Sequence, residues 1–422
     1  MARPSCGYPM TQTSVICGTA LPAMGIAVVL LQASVSHFGG NSMTGKERMW
    51  AATVGAPVDH VPIWLREGFS FEHPLPAADD FAQGWRAEPD YAALWEFARH
   101  HCDTRGAWSP GGHFNRLMAI PSRYIRHDSQ QVDADTRRTI TRIQTPKGEL
   151  VGVDEQRRGI ETTWRVKEFV ETIEDFEKLR SVPFEVSPVS YDGYERSLRT
   201  LGDRGVTCLG ISSPWVVVTA CMSYQQALAW SALERNLLLE SIEEVTERIL
   251  ACLRVVCQRP LDTIANMGGC EQCTPPMMSP DAFAEFVTPY DGRIVAFLKE
   301  HGIPCNCHCH GFVRNALPEM IRAGFESTDP VEEAGRGGDL TIAEARAIAG
   351  DRLTLVGNLE FNELETLEPR QIRARVREIL DSGKRRLILS ASAGPISKMT
   401  PRLIANYYAW IEEAVSCGGC SQ

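Results

Sequence analysis

The stretch Ile303-Pro304-Cys305-Asn306-Cys307-His308-Cys309-His310-Gly311 is an apolar, β-prone start that runs into alternating cysteine and histidine and stops at a glycine. Side chains alternate along a strand, so His308 and His310 project to one face and Cys309 to the other. A helical pattern follows at Val313–Ala323, which makes the stretch one strand–helix unit with its chemistry at the strand's carboxyl end. Farther on, Gly324-Phe325-Glu326-Ser327-Thr328-Asp329-Pro330-Val331-Glu332 repeats the theme, a short strand that runs into carboxylates.

Working outward, strand-like segments recur at Val61–Leu65, Val206–Ile211, Thr263–Asn266, Ile303–Cys307, Phe325–Thr328, Leu353–Val356 and Arg386–Leu389. Helical patterns lie among them at Asp90–His101, Ile173–Leu179, Tyr191–Leu201, Tyr224–Trp230, Ile242–Val256 and Pro280–His301. They continue at Val313–Ala323, Ile342–Ala349, Pro369–Asp381 and Pro401–Val415. Repeated β-α units with short connections call for a parallel sheet covered by helices. About seven or eight units with no Gly-x-Gly-x-x-Gly opening predict an α/β (β/α)8 TIM barrel rather than a doubly wound sheet. Residues 118–170 read instead as β-hairpins, with an alternating run at Arg138–Thr145 and a turn at Pro146-Lys147-Gly148. They form an insertion after the first units, placed as a flap beside the site.

The barrel is expected over residues 43–416. Met43-Thr44-Gly45-Lys46-Glu47 opens it as a helix start, with Thr44 as cap and Glu47 three residues on. Residues 1–42 read as a leader outside the fold. Their apolar run Ala20–Val35 is interrupted by Pro22, Gly25 and Gln32 and falls short of a membrane span. Translation beginning at Met43 and a targeting signal are both open for this segment. The tail from Cys417 to Cys420 is expected to fray, with metal binding or a disulfide as the alternative.

The 422 residues are 44% hydrophobic and 23% charged, ordinary for a soluble protein, and the net charge of −10 with no basic run argues against a nucleic-acid partner. Fourteen cysteines in so long a chain do not make a secreted disulfide scaffold. Their crowding between Cys257 and Cys309 points to thiol or metal chemistry in the reducing cytoplasm, or simply to small buried side chains.

In a (β/α)8 barrel the active site lies at the carboxyl ends of the strands, and the unusual residues fall there. Two histidines on one strand face with a nearby carboxylate make a zinc set, catalytic if one position stays open. His308 and His310 are the expected ligands, Glu271 and Glu332 the next candidates, and Cys273 of Cys270-Glu271-Gln272-Cys273 a further one. Either acid also suits a general base or a partner that orients a ligand. Arg66 and Arg314 suit a substrate carboxylate, with a surface ion pair open for Arg314. Trp64, Trp215 and Phe361 offer aromatic walls, and Asn358, Glu360, Ser390 and Ser392 complete the strand ends.

Taken together, these residues resemble the uroporphyrinogen decarboxylase superfamily, which includes cobalamin- and coenzyme M-type methyltransferases. The likeness spans roughly Met43 to Ala414. It begins at Thr44-Gly45-Lys46-Glu47-Arg48 and Asp59-His60-Val61-Pro62-Ile63-Trp64, and passes through Ser213-Pro214-Trp215, Ser279-Pro280-Asp281-Ala282-Phe283 and Pro289-Tyr290. It is clearest at Gly302–Gly311, Gly357-Asn358-Leu359-Glu360 and Thr400-Pro401. The resemblance implies the same barrel, a small-molecule substrate, no membrane and a possible homodimer.

Decarboxylases of the family carry Arg-Gln-Ala-Gly-Arg-Tyr after the first strand, where this chain reads Leu65-Arg66-Glu67-Gly68-Phe69. Their late Gly-His-Gly is Ala393-Gly394-Pro395 here. The methyltransferase branch holds zinc through His-x-Cys-Gly and a later cysteine. Here the motif is His308-Cys309-His310-Gly311, and the late position falls at about Gly394. The resemblance therefore implies a zinc-dependent methyltransferase that works with a corrinoid protein, its ligand set completed by Glu271 or Glu332. Tetrapyrrole decarboxylation and a non-catalytic corrinoid- or tetrapyrrole-binding barrel are the alternatives.

Overall fold

The computed structural model describes residues 42–111 and 114–420. The leader reading, for residues 1–42, lies outside the described residues except for Ser42.

Eight parallel strands form one sheet: β1 (Ile63–Trp64), β2 (Thr104–Trp108), β7 (Gly205–Ser212), β8 (Thr263–Gly268), β9 (Cys305–His308), β10 (Ser327–Val331), β11 (Thr354–Leu359) and β12 (Leu387–Ala391). Between β2 and β7 the insertion contributes a separate antiparallel sheet of β3 (Ile125–Gln131), β4 (Thr136–Thr145), β5 (Gly148–Arg157) and β6 (Thr163–Lys167). The parallel strands pair in chain order from β2 through β7 to β12, and β12 returns to β1. This is the (β/α)8 barrel, with one seam between β1 and β2. Asp103 bridges that seam: its N–H donates to the Ile63 carbonyl at 2.9 Å and its carboxylate accepts from the Ile63 N–H at 3.3 Å. Arg48 holds the same carboxylate at 2.7 Å and Asp59 at 2.6 Å, tying the opening helix to the seam.

That helix, Gly45–Val54, begins with the Thr44/Glu47 capping box, which satisfies two otherwise orphaned N–H groups. It plugs the barrel's amino end. Met49 and Ala52 pack on Val206, Cys208, Ile264, Val356 and Ile388, the inward side chains of four strands. Alternation along each strand sends the intervening residues outward to the helices, as where Trp108 stacks on Tyr194. Two sequence expectations change in detail. The long helix expected over Pro280–His301 is two, Ala282–Phe286 and Thr288–Glu300, with Pro289 opening the second, a position where its missing N–H costs nothing. The tail expected to fray is docked: Val61 N–H donates to Gly418 and Cys420 N–H to Asp59, each at 2.9 Å.

The insertion leans on loops at the carboxyl end of the barrel. Glu161 N–H donates to Ile396 beyond β12 at 2.9 Å, and its carboxylate receives Arg86 at 2.7 Å. No helix among the described residues is long and apolar enough to cross a membrane.

Candidate active site

Above its apolar plug the barrel interior turns polar, an expensive choice that requires each buried group to find a partner. The centre is Asp329 on β10, fully buried. Arg66 Nη1 donates to its Oδ2 at 2.5 Å, His308 Nδ1 lies 3.4 Å from the same oxygen, and Asn306 donates to Oδ1. Asn306 is itself held by Asn266 at 2.7 Å and Ser327 at 2.6 Å. The network arises because β8, β9 and β10 run in register, Asn266 beside Asn306 and His308 beside Asp329. Arg66 reaches in from just beyond β1 with a positive φ of 65°.

Charges decide the protonation states. Burial alone would raise the Asp329 carboxyl, but Arg66, His308 and Arg105 outweigh it and hold Asp329 well below the usual carboxylate range. Burial disfavours a charged His308, yet the Asp329 charge and contact win over burial and over the opposing Arg66, and the imidazole is raised. Glu67, beside Arg66 at 3.3 Å, is lowered by that guanidinium against the effect of burial.

His310, two residues on, turns Nδ1 toward Glu332 Oε1 at 3.3 Å, while the Gly311 N–H donates to Glu332 Oε2 at 2.5 Å. Against burial, these contacts keep Glu332 lowered. The two imidazoles lie 4.8 Å apart, ring centre to ring centre, at 86°. Each ring directs Nδ1 to a carboxylate, the arrangement in which the other ring nitrogen ligates in carboxylate–histidine–metal units. The pair fits zinc in that respect. Among the described residues, however, no three His, Cys, Asp or Glu side chains are gathered to hold one metal ion. Glu271 accepts from the Gly269 N–H at 3.1 Å, and Cys273 is fully buried.

Behind the histidines, the other face of β9 carries thiols. Cys270 Sγ lies 3.5 Å from Cys307 Sγ, and Cys309 also hydrogen-bonds to Cys270, so the two S–H groups lower the Cys270 thiol. All three are fully buried.

The remaining candidates separate. Trp64 is half-buried beneath the network, its ring 5.2 Å from the Arg66 guanidinium. Trp215 is not a wall of the site: it is fully buried, packs on Phe286 and donates to Gln272 at 2.9 Å, because it opens a helix that faces the core. Asn358 donates to the Val331 carbonyl at 3.0 Å and knits β10 to β11. Glu360 accepts from Glu333 N–H at 2.7 Å and is pushed up to about 7 by burial, with the Glu332 charge adding to it. Arg314 is a surface residue paired with Glu344 at 3.0 Å, so the surface ion pair is the arrangement found. Asp329, Asn306 and Arg105 were not among the expected site residues. Asp329 lies in the carboxylate run Gly324–Glu332, but nothing in its spacing sets it above Glu332.

The uroporphyrinogen decarboxylase (URO-D) family model matches residues 152–413. Two relatives, the Methylcobamide:CoM methyltransferase MtaA of Methanosarcina barkeri and its counterpart in strain Fusaro, are each 27% identical over 195 residues. Those residues are 46% of this chain and 53% of the relative. The chain thus spans about half the length of the curated relatives it matches. A solved methyltransferase from Methanosarcina mazei superposes with a TM-score of 0.55 at 18% identity, covering 88% of this chain and 98% of that one, and shares the fold. The family match covers more than half of the chain and coincides with the barrel, and the chain belongs to the uroporphyrinogen decarboxylase family.

Proposed function

We propose that this chain is a methyltransferase that passes a methyl group between a methylated corrinoid, carried by a partner protein, and a small anionic acceptor. The observation that carries the reading is the pairing of His308 and His310 at the barrel mouth, each backed by its own carboxylate, beside the buried Arg66. The relatives named for methylcobamide and coenzyme M support the same class. His308 and His310 would hold zinc, with Glu271 as the further ligand or proton acceptor, while Glu332 stays the carboxylate that orients His310. When bound, the ion supplies Lewis acidity that favours the deprotonated form of an acceptor.

The chain's own residues set the stage for that chemistry. Asp329 fixes the His308 ring and balances Arg66, so the imidazole cannot swing without exposing a buried charge. Glu332 does the same for His310 and is itself anchored by the Gly311 N–H. Asn358 and Glu360 stiffen the adjoining strand ends, and Trp64 gives a substrate an apolar surface. Metal analysis tests the reading: near-stoichiometric zinc in the purified protein, lost in His308→Ala/His310→Ala, is expected, and protein that takes up no zinc would remove it.

A further inference from the structure

The amino-terminal end of the barrel carries a concavity of about 530 Å³, lined by Lys299, Arg352, Arg386, Glu326, Val54 and Ile321. Glu326 immediately precedes β10, Arg386 immediately precedes β12, and Arg352 lies just before β11. Lys299 falls in the last turn of the helix Thr288–Glu300. This is the end of the barrel away from His308 and His310, which stand where β9 finishes.

Three cations share this wall with one carboxylate, and that carboxylate is already engaged. Glu326 Oε1 lies 3.4 Å from Lys299 Nζ, and its Oε2 accepts from the Cys305 N–H at 2.9 Å. Asp351, close by in sequence, pairs with Arg385 at 3.4 Å. Arg386 donates only to neutral oxygens, Thr354 Oγ1 and the Val54 carbonyl, each at 3.3 Å, and its buried Nε has no partner among the described residues. Arg352 is exposed, and its guanidinium meets no hydrogen-bond or ion-pair partner among the described residues.

Cations at helix carboxyl ends commonly offset the helix dipole. Arg386 does so at Val54, but Lys299 is turned to Glu326 and Arg352 touches no carbonyl. The backbone is also shaped for Arg386. Its φ of 53° lies in the left-handed region, costly for a residue with a β-carbon. Gly55, which ends the opening helix, lacks the side chain that would collide with its guanidinium. Two arginines and a lysine suit a phosphate, which offers several oxygens and up to two charges. Val54 and Ile321, both half-buried, give an apolar surface beside them, and the volume is that of a small-molecule site rather than of a single ion.

We propose that this concavity is a second ligand site, separate from the barrel mouth, that takes a phosphate-bearing small molecule. Its phosphate lies on Arg352 and Arg386, and its apolar part rests on Val54 and Ile321.

Calorimetric titration with phenyl phosphate, inorganic phosphate and phenol tests this without turnover. Wild-type protein is expected to bind phenyl phosphate at one saturable site, more tightly than inorganic phosphate, and to give no signal with phenol. Arg352→Met, at an exposed position that folding tolerates, is expected to weaken phenyl phosphate binding about tenfold or more. The His308→Ala/His310→Ala variant, altered at the mouth, is expected to bind as wild type does. So is Arg126→Met, which removes an exposed arginine from β3. No saturable binding by the wild type, phenyl phosphate held no tighter than inorganic phosphate, or undiminished affinity in Arg352→Met overturns the proposal. A loss in either control as large as that in Arg352→Met overturns it too, by placing the ligand at the mouth or on the positive surface at large.

Discussion

Arg66 and Asp329 form a buried ion pair at 2.5 Å between the ends of β1 and β10, strands that are not neighbours in the sheet. Breaking a buried pair from one side leaves an uncompensated charge, which typically costs about 3–5 kcal/mol. Asp329→Asn is expected to lose stability on that order in urea unfolding and to lose activity as well, because His308 loses its orienting carboxylate. Unchanged unfolding would mean that the pair contributes nothing. The depressed Asp329 carboxyl also gives an acid dependence. Its stabilisation is full above the unfolded carboxylate range and disappears as pH falls through the lower folded value.

Glu72 gives the opposite sign. Burial raises it to about 7, above the ordinary glutamate value of 4.5, so the folded state holds the proton more tightly than the unfolded chain. The stabilisation is fully present below about 4.5 and is lost as pH rises through about 7. Glu72→Gln, which stays neutral, is expected to be more stable than wild type at pH 8, by up to about 3 kcal/mol, with little difference at pH 4.5. Paired unfolding curves at the two pH values check this, and equal differences at both would contradict it.

Gly268 lies directly against His308: a β-carbon there would come within 3.3 Å of its Cδ2. Gly268→Ala should therefore displace the imidazole by a few tenths of an ångström while costing little stability. Activity is expected to fall about tenfold or more, in the sense that small misplacements of reacting groups are costly, with an unfolding midpoint close to wild type. A variant of normal activity would show that the His308 position is not critical.

Much of this was legible from sequence because apolar strand cores, glycine breaks and helical periodicity agree with one another. Seven of the eight barrel strands announce themselves that way. β2 does not, and for a physical reason: Thr104-Arg105-Gly106-Ala107-Trp108 presents an arginine and an alanine to the barrel axis, where a strand pattern would call for branched apolar residues. Alternation along β9 separates His308 and His310 from Cys307 and Cys309, and the structure has that arrangement. Asp329 is not legible locally because its importance comes from Arg66, 263 residues away in sequence, which no local pattern encodes. Trp215 misled because Pro-Trp after a strand is equally suited to a pocket wall and to a helix start packed on the core.

The most direct measurement is the demethylation of methylcob(III)alamin by a thiol, followed through the cobalamin spectrum, with wild-type protein and the His308→Ala/His310→Ala variant. Wild-type protein is expected to accelerate it, and the folded double variant to lose on the order of a hundredfold or more, since removing the ligands costs at least what removing the groups that orient ligands does. A double variant as fast as wild type, or a zinc-loaded wild type with no rate above background, would contradict the methyl-transfer reading.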